Sequence, residues 1–436
     1  GLDAADYGIT DLTGIGHLHN LTKLDASENS IFSLEPLSEC RNLEVAALNE
    51  NQISDLSPLA NLKRLKTIAL DNNKISDLSP LSKLSALEGI GLSCNSIEDL
   101  RPLSSLDKVR NISLYNNKIS DLSPLVNLNL VTGILADHNN ISQIPSLHTF
   151  DSLVSVNLSN NPVSDPDRFS DLPHLQSLSL DSCDISHFPD LSGLDRLRSL
   201  SVKHNNISSI DVLNGMKNLR SLALMDNKLT DIDNLSPLCS LEVLDLDDNR
   251  LSVPLSLSSL TNLKTLSLVG NDLNTEDLEE LPHLKELTAL YMDKNDFDKL
   301  GNLQGMENLL TISLDSNSLT DISSLGYLPQ LQFVSARHNN IADIRCFDHM
   351  MELRHLDLDT NNVSELVSLG NNFSIEYLSL NGNNIVEITA LLGNPGLDYG
   401  DQLNLYDNPL SNSAKHEHIP ILNDKGVTVK WKRFDD

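Results

Sequence analysis

One pattern of apolar residues and asparagine recurs along almost all of the 436 residues. Aligned on L-x-x-L-x-L-x-x-N, the sequence divides into nineteen units, and the step between closing positions is 22 residues except for one step of 24 and one of 25. Seventeen of the nineteen closing positions are Asn, and the two departures are Tyr7 and Cys183. A fixed period of this length indicates a repeat array, in which each unit buries its apolar face against its neighbours.

The letters of one unit have separate physical roles, as the stretch "LKTIALDNNKISDLSPL" at 65–81 illustrates. Alternation around Ile68 and Leu70 predicts a short strand with one buried face, and stacked units would pair these strands into a parallel sheet. Asn73 follows where the chain leaves the strand. Its amide can donate and accept hydrogen bonds, so a column of such residues is expected to satisfy backbone groups of the turns.

A short helical turn is expected after each strand, on the outer side of the array. In the unit above, Ser79 followed by Pro80 is typical of an N-cap and a first helical residue. The same dipeptide recurs at Ser57, Ser123 and Ser236. The predicted fold is therefore an α/β solenoid: a leucine-rich repeat horseshoe of about 19 mostly 22-residue repeats, with a parallel sheet on the concave face and short helical turns on the convex face.

The two ends of the array set the predicted domain boundaries, with the solenoid at 1–410 and a C-terminal capping element at 411–436. The sequence starts inside a repeat, "GLDAADYGITDL", without a polar cap. Terminal repeats need caps, so we expect that an upstream segment has been removed, a secretion signal being one candidate. After Asn408 a helix-compatible segment, a turn at Gly426 and the alternating stretch 427–431 are expected to cover the last edge of the sheet.

The 24-residue unit contains "NTEDLEELPHLKEL", with Asn274 or Thr275 as a plausible cap and acidic residues directly after it. Carboxylates favour a helix N-terminus. This unit is expected to carry a longer convex helix without a break in the sheet.

Charge and composition restrict the partners. A formal net charge of −30 would repel phosphate backbones and anionic lipid, so we expect neither nucleic acid nor a membrane surface as partner. The same charge favours a soluble monomer, and the absence of a run of 18 apolar residues argues against a membrane-spanning segment. The five cysteines are widely spaced without a C-x-x-C pair, so they predict neither a disulfide framework nor a zinc site.

The repeated "DLSPL" at 55–59, 77–81 and 121–125, with the ending "IPILNDKGVTV", resembles bacterial internalin-like and wider SDS22-like leucine-rich repeat proteins. The resemblance covers essentially the whole chain, but it rests on scaffold residues. Internalin-like proteins are secreted or attached to the surface and bind other proteins along the concave sheet, so the resemblance implies that location and activity. The SDS22-like branch implies a cytoplasmic regulator instead.

Catalytic motifs are absent from the sequence. It contains no G-x-S-x-G, H-E-x-x-H or P-loop pattern, and its glycines are single and scattered. We therefore expect neither an enzyme nor a cofactor.

Variation is concentrated at the residues six, four and two before each closing position, which should point outward from the strands. Four of the seven tyrosines occupy these positions. Tyr has a large contact area and little entropy to lose, which suits an interface, although it also suits exposed strands. The candidate partner-binding residues are Tyr115, Tyr291, Phe333, Arg337, His338, His355, Asp357, Tyr377 and Tyr406.

Two further groups of residues occupy outward or turn positions. Asp245, Asp247 and Asp248 could offer oxygen ligands to calcium, but such a cluster is more often a solvated strand face, and no metal site is predicted. Many outward positions before this cluster are serine, Ser177 and Ser201 among them, and form an apparently featureless polar wall.

Three functions remain open from the residues alone. The first is a bacterial secreted or surface protein that recognises a protein partner. The second is an intracellular scaffold that regulates a bound enzyme. The third is a glycan-binding surface, since carbohydrate sites also use Tyr and Asp.

Overall fold

Short parallel strands recur once per repeat in the computed structural model, which describes residues 1–170, 172–191, 193–348 and 350–432. The chain forms two compact units, Gly1–Ile207 and Ser208–Asp436. In both units the strands are almost all three residues long, and from β2 to β19 the apolar residue at the strand centre is buried. The alternation read from the sequence is thus the alternation of the sheet.

In the first unit ten strands pair consecutively, each parallel to the next and in register with the residue one repeat away. The strands are β1 (Leu2–Asp3), β2 (Lys23–Asp25), β3 (Val45–Ala47), β4 (Thr67–Ala69), β5 (Gly89–Gly91), β6 (Asn111–Ser113), β7 (Gly133–Leu135), β8 (Ser155–Asn157), β9 (Ser177–Ser179) and β10 (Ser199–Ser201). Short 3-10 turns follow at Ile15–His17, Glu35–Glu39, Ser57–Leu59, Ser79–Lys83, Arg101–Leu103 and Ser123–Leu125.

In the second unit ten further strands pair in the same way. They are β11 (Ser221–Ala223), β12 (Val243–Asp245), β13 (Thr265–Ser267), β14 (Ala289–Tyr291), β15 (Thr311–Ser313), β16 (Phe333–Ser335), β17 (His355–Asp357), β18 (Tyr377–Ser379), β19 (Gln402–Asn404) and β20 (Thr428–Lys430). The 3-10 turns are Asp211–Gly215, Asp233–Leu235, Thr275–Leu278, Leu281–His283, Ser323–Tyr327, Arg345–Phe347 and Val367–Leu369, and helix α1 is Thr389–Leu392. The predicted leucine-rich repeat solenoid is confirmed.

The asparagine column performs the predicted task. The Asn249 side chain donates from Nδ2 to the carbonyl oxygens of Leu224, Leu246 and Asp247 at 3.0–3.1 Å. Its Oδ1 accepts the backbone N–H of Leu229 at 3.1 Å. One buried amide therefore satisfies its own turn and the preceding repeat at once.

Cys183 shows what happens where the amide is missing. Its buried Sγ lies 3.3 Å from the carbonyl oxygen of Leu158, in place of an amide donor. A thiol offers no strong acceptor, and the N–H of Val163 bonds instead to the carbonyl of Asn161 at 2.9 Å. Burial raises the pKa of the Cys183 thiol to about 11, so this cysteine is a structural substitute and not a reactive group.

The helical turns differ from the prediction in three respects. No helical turn follows β7, β12 or β14, although the structure describes the whole connection to the next strand in each case. Ser79 is the first residue of its turn and Pro80 the second, while the capping side chain belongs to Asp77, which accepts the Ser79 N–H and hydroxyl at 2.8 Å each. Aspartate suits this position because one carboxylate oxygen accepts the backbone N–H while the other accepts the serine hydroxyl. Ser236 opens no turn, since it follows the one at Asp233–Leu235.

The 24-residue unit contains two 3-10 turns, and the prediction of one longer helix was wrong. Asn274 caps the first turn as expected: its Oδ1 accepts the Glu276 N–H and Asp277 Oδ2 accepts the Asn274 N–H, both at 2.9 Å. Pro282 lies within the second turn, and it disfavours an α-helical residue before it. β13 and β14 pair on either side of the insertion, so the expected continuity of the sheet is confirmed.

After the last repeat come a π-helical turn, Ala414–His418, and helix α2 (Ile419–Asp424). Gly426, at φ +93°, then leads into β20, which pairs with β19 as expected. The division into a solenoid at 1–410 and a capping element at 411–436 stays a prediction.

Candidate binding surface

The outward strand face of the second unit carries most of the candidate residues. We use this name for the residues six, four and two before each closing position from β11 to β19. On β17, for example, Leu356 is buried in the core, and His355 and Asp357 point to the opposite side because neighbouring residues of a strand alternate. Large side chains here therefore add nothing to the repeat core.

Three consecutive strands place rings side by side on this face. Phe333, His355 and Tyr377 are direct neighbours in the β16–β17–β18 register, and we call them the aromatic row. The His355 and Tyr377 rings stack with centroids 4.2 Å apart and planes 6° from parallel. Phe333 lies 6.0 Å from His355, tilted by 33°, and remains 44% exposed. The row forms an apolar strip with its Phe333 end most open to solvent.

Tyr377 is held in place by Asn404, the last residue of β19. Its hydroxyl oxygen accepts a hydrogen bond from Asn404 Nδ2 at 3.1 Å, and the same amide lies 3.3 Å from Ser379 Oγ. Asn404 is buried, and its Oδ1 has no hydrogen-bond partner among the described residues. The hydroxyl end of the aromatic row is therefore fixed by the amide of Asn404, whose buried Oδ1 accepts no hydrogen bond from the described residues.

Charged groups border the row. Arg337 lies with Nε 3.2 Å from Asp315 Oδ2 and Nη1 3.9 Å from Asp357 Oδ2. Asp357 is 7% exposed, and its Oδ1 accepts the Asp359 N–H at 3.1 Å. Burial raises the pKa of Asp357 to about 6, an effect that Arg337 opposes only in part. Burial likewise lowers the pKa of His355, so its ring is mostly neutral at neutral pH.

A second regularity, which was not recognised in the sequence, organises the serines. Asp293 Oδ1 accepts a hydrogen bond from Ser313 Oγ, and Asp315 Oδ1 accepts one from Ser335 Oγ, both at 2.6 Å. The same carboxylate oxygen also accepts a backbone N–H of the following repeat. In the sequence, this bond corresponds to an Asp two residues before one closing Asn and a Ser 20 residues after that Asp.

The serine wall of the first unit is therefore not featureless. Ser201 Oγ donates to Asp181 Oδ1 at 2.5 Å, and the Lys203 N–H donates to the same oxygen at 2.8 Å. Serines four before a closing position can thus tie one repeat to the previous one.

The remaining candidate partner-binding residues do not lie together in one cluster. Tyr291 is half-buried on β14, and Tyr406 follows β19 with its N–H bonded to Asn381 Oδ1 at 2.8 Å. His338 is exposed, but it lies in the turn with φ +53° and not on the strand face. Tyr115 belongs to the first unit, where it is 39% exposed.

The acidic cluster has a structural use. Asp247 Oδ1 accepts Ser267 Oγ at 2.5 Å and the Val269 N–H at 2.8 Å. Asp245 Oδ1 accepts the Asp247 N–H at 3.2 Å. Asp248 lies in the turn with φ +50°, and its carboxylate occupies the space that a Cβ at Gly270 would need. Within the described ranges, no group of three His, Cys, Asp or Glu side chains has metal-binding geometry.

Sequence comparison supports the repeat assignment. A family model for paired leucine-rich repeats matches residues 41–83 and 195–237, and a single leucine-rich repeat model matches 240–260. No match to a curated protein sequence was found. Among the residues that the structure describes, every helix is too short or too polar to traverse a lipid bilayer.

Solved structures with the same architecture come from bacteria and plants. The internalin InlF of Listeria monocytogenes is 26% identical, with a TM-score of 0.57 over 70% of this chain and 83% of its own. A leucine-rich repeat protein of Leptospira interrogans gives 0.67 at 20% identity over 97% and 99%. The Arabidopsis thaliana receptor kinase ectodomain GASSHO1/SCHENGEN3, solved with CASPARIAN STRIP INTEGRITY FACTOR 2, gives 0.67 at 21% over 96% and 62%. The chain therefore has the leucine-rich repeat fold.

Proposed function

We propose that this chain is a non-enzymatic recognition protein that binds a protein partner on the outward strand face of its second unit. Leucine-rich repeat domains generally serve as interaction modules. The observation that carries the proposal is the aromatic row: three rings lie side by side on a face that contributes nothing to the core. Exposed contiguous apolar surface is unfavourable in water unless a partner covers it.

The surroundings of the row fit a protein interface. An aromatic centre with a border of Arg337, Asp315 and Asp357 has the apolar core and polar rim of recognition surfaces. The aromatic row is the proposed centre, and Tyr291, Arg337, Asp357 and Tyr406 on the same face are secondary candidates. His338 in its turn and Tyr115 in the first unit lie outside this face, and their part in binding stays a prediction. We further propose a bacterial secreted or surface protein, on the resemblance to internalins and on the fold shared with InlF.

The test is a selection of phage-displayed random peptides on the wild-type protein. Selected peptides are then measured against the triple variant Phe333→Ala, His355→Ala, Tyr377→Ala. A matched control is Val45→Ala, Thr67→Ala, Asn111→Ala, which alters the same outward column in the first unit. Loss of one hot spot costs about 2 kcal/mol, so we expect the triple variant to bind at least about 30-fold more weakly while the control binds normally. Equal binding to the triple variant and the wild type would refute the proposal.

A glycan partner is the competing function, because stacked rings beside carboxylate and amide groups also suit sugars. A glycan array probed with the wild-type protein and with the triple variant separates the two. Binding of a glycan that the triple variant loses would favour the carbohydrate function.

A further inference from the structure

We propose that the partner segment presents an arginine side chain, whose guanidinium pairs with Asp357 and lies against the rings of the aromatic row. This inference rests on the proposed function and specifies the chemistry that the surface would recognise. It is carried by the charge balance of the face, the surroundings of Asp357 and the geometry of the row.

The charge balance of the outward strand face favours a cationic segment. Between β11 and β19 its described carboxylates are Asp245, Asp247, Asp293, Asp315, Asp357 and Asp359. Its one Lys or Arg within the same described stretch is Arg337, whose Nε lies beside Asp315. A ligand that carries positive charge would therefore complement the face and be attracted to it.

Among these carboxylates, Asp357 is the one that a cationic group of a partner would stabilise most. Its side chain keeps 10% exposure, so the carboxylate is largely shielded from bulk water, and the Arg337 Nη1 atom lies 3.9 Å from Oδ2, beyond hydrogen-bonding distance. A buried carboxylate without a close cationic donor costs free energy. A guanidinium from a partner could approach Oδ2 from the solvent side and donate the hydrogen bond that Arg337 does not make.

The aromatic row favours arginine over lysine. A guanidinium is planar and weakly hydrated, so it can stack on a ring while its edge donates hydrogen bonds. His355, which is next to Asp357 on the same face of β17, is mostly neutral and does not compete as a cation.

The experiment uses peptides from the selection described above as probes. Each selected peptide is synthesised in three forms: unchanged, with each arginine replaced by lysine, and with each arginine replaced by citrulline, which keeps the shape but lacks the charge. Affinities are measured for the wild type and for Asp357→Asn, which retains an acceptor for the Asp359 N–H. We expect citrulline to weaken binding to the wild type at least about tenfold and to change binding to Asp357→Asn little. Lysine should be intermediate.

The outcomes separate this inference from the proposed function. Peptides that lose binding to the triple variant but contain no arginine, or that tolerate lysine or citrulline fully, would overturn the inference and leave the proposed function standing. Peptides that bind the triple variant normally, or a selection that yields no binder, would contradict both. The melting temperature of Asp357→Asn is compared with that of the wild type at neutral pH. A value equal to or higher than that of the wild type excludes misfolding as the cause of lost binding.

Discussion

The imidazole of His355 stacks on the phenol ring of Tyr377, although 22 positions separate the two residues in the chain. Parallel pairing of β17 and β18 places residues one repeat apart directly opposite each other. A 4.2 Å separation of the ring centroids means that each ring shields one face of the other from water. The stack therefore links the ionisation of His355 to the presence of its neighbour.

Replacement of Tyr377 by alanine should raise the pKa of His355 towards its ordinary value. Burial is the cause of the lowered pKa, and the substitution opens one ring face to solvent. The measurement is an NMR titration of the His355 ring protons. Tyr377→Phe should leave the pKa nearly unchanged, as should Tyr115→Ala in the first unit. A His355 pKa that stays equally low in Tyr377→Ala would show that other groups cause the burial.

Asn249→Ala should lower the free energy of unfolding by about 1 to 3 kcal/mol, because the change leaves buried backbone groups of two repeats without their partner. Asn227, in the same column, should respond similarly. Ser177→Ala is the control, since it alters an outward strand position without removing such a group. Ser201→Ala should cost about 1 kcal/mol through loss of its bond to Asp181. Denaturant unfolding followed by circular dichroism gives the comparison, and equal losses for Asn249→Ala and Ser177→Ala would contradict the assigned role.

Asp357→Asn should stabilise the protein at neutral pH and lose that advantage in acid. The folded pKa of about 6 lies above the ordinary 3.8, so the folded state binds the proton more tightly than the unfolded state. The resulting penalty on the wild type is fully present above about pH 6 and is relieved as pH falls towards 4. By the pKa difference, the gain for the variant above pH 6 is at most about 3 kcal/mol.

The measurement for Asp357 is the difference in unfolding free energy between variant and wild type across pH 4 to 7.5. Taking the difference cancels other buried carboxylates with raised pKa values, such as Asp247 and Asp293. A difference that does not change with pH would mean that Asp357 titrates normally.

Gly426→Ala should destabilise the end of the second unit. Gly426 has φ +93°, and a Cβ there would lie 2.9 Å from Tyr399 Cα and 2.7 Å from Tyr399 Cδ2. Both the backbone conformation and the contact oppose a side chain, so we expect a loss of about 1 to 3 kcal/mol. Hydrogen exchange should show weakened protection of the β20 amides. Gly393→Ala, where a Cβ meets no atom within 4 Å, is the matched control.

The repeat period and the alternation around each strand predicted the solenoid, its parallel sheet and the asparagine column, because these depend on local chemistry repeated at a fixed interval. The period also predicted that Phe333, His355 and Tyr377 share one column. The sequence predicted the helical turns less well, because several local backbone conformations compete there. Asp77 rather than Ser79 caps its turn, and the long repeat forms two 3-10 turns, since nearby donors and a proline decide between arrangements of similar energy.

The register follows from the repeat pattern alone, because a period of 22 with alternating apolar residues permits one stacking. The register in turn fixes which side chains are buried and which face outward. The contacts among the outward side chains, in contrast, depend on the three-dimensional arrangement of neighbouring repeats. The ring stack of His355 and Tyr377 and the incomplete pairing of Asp357 both depend on distances of a few ångströms between residues of different repeats. Such distances follow from the twist and spacing of stacked strands and the rotamers chosen there, which no local pattern encodes.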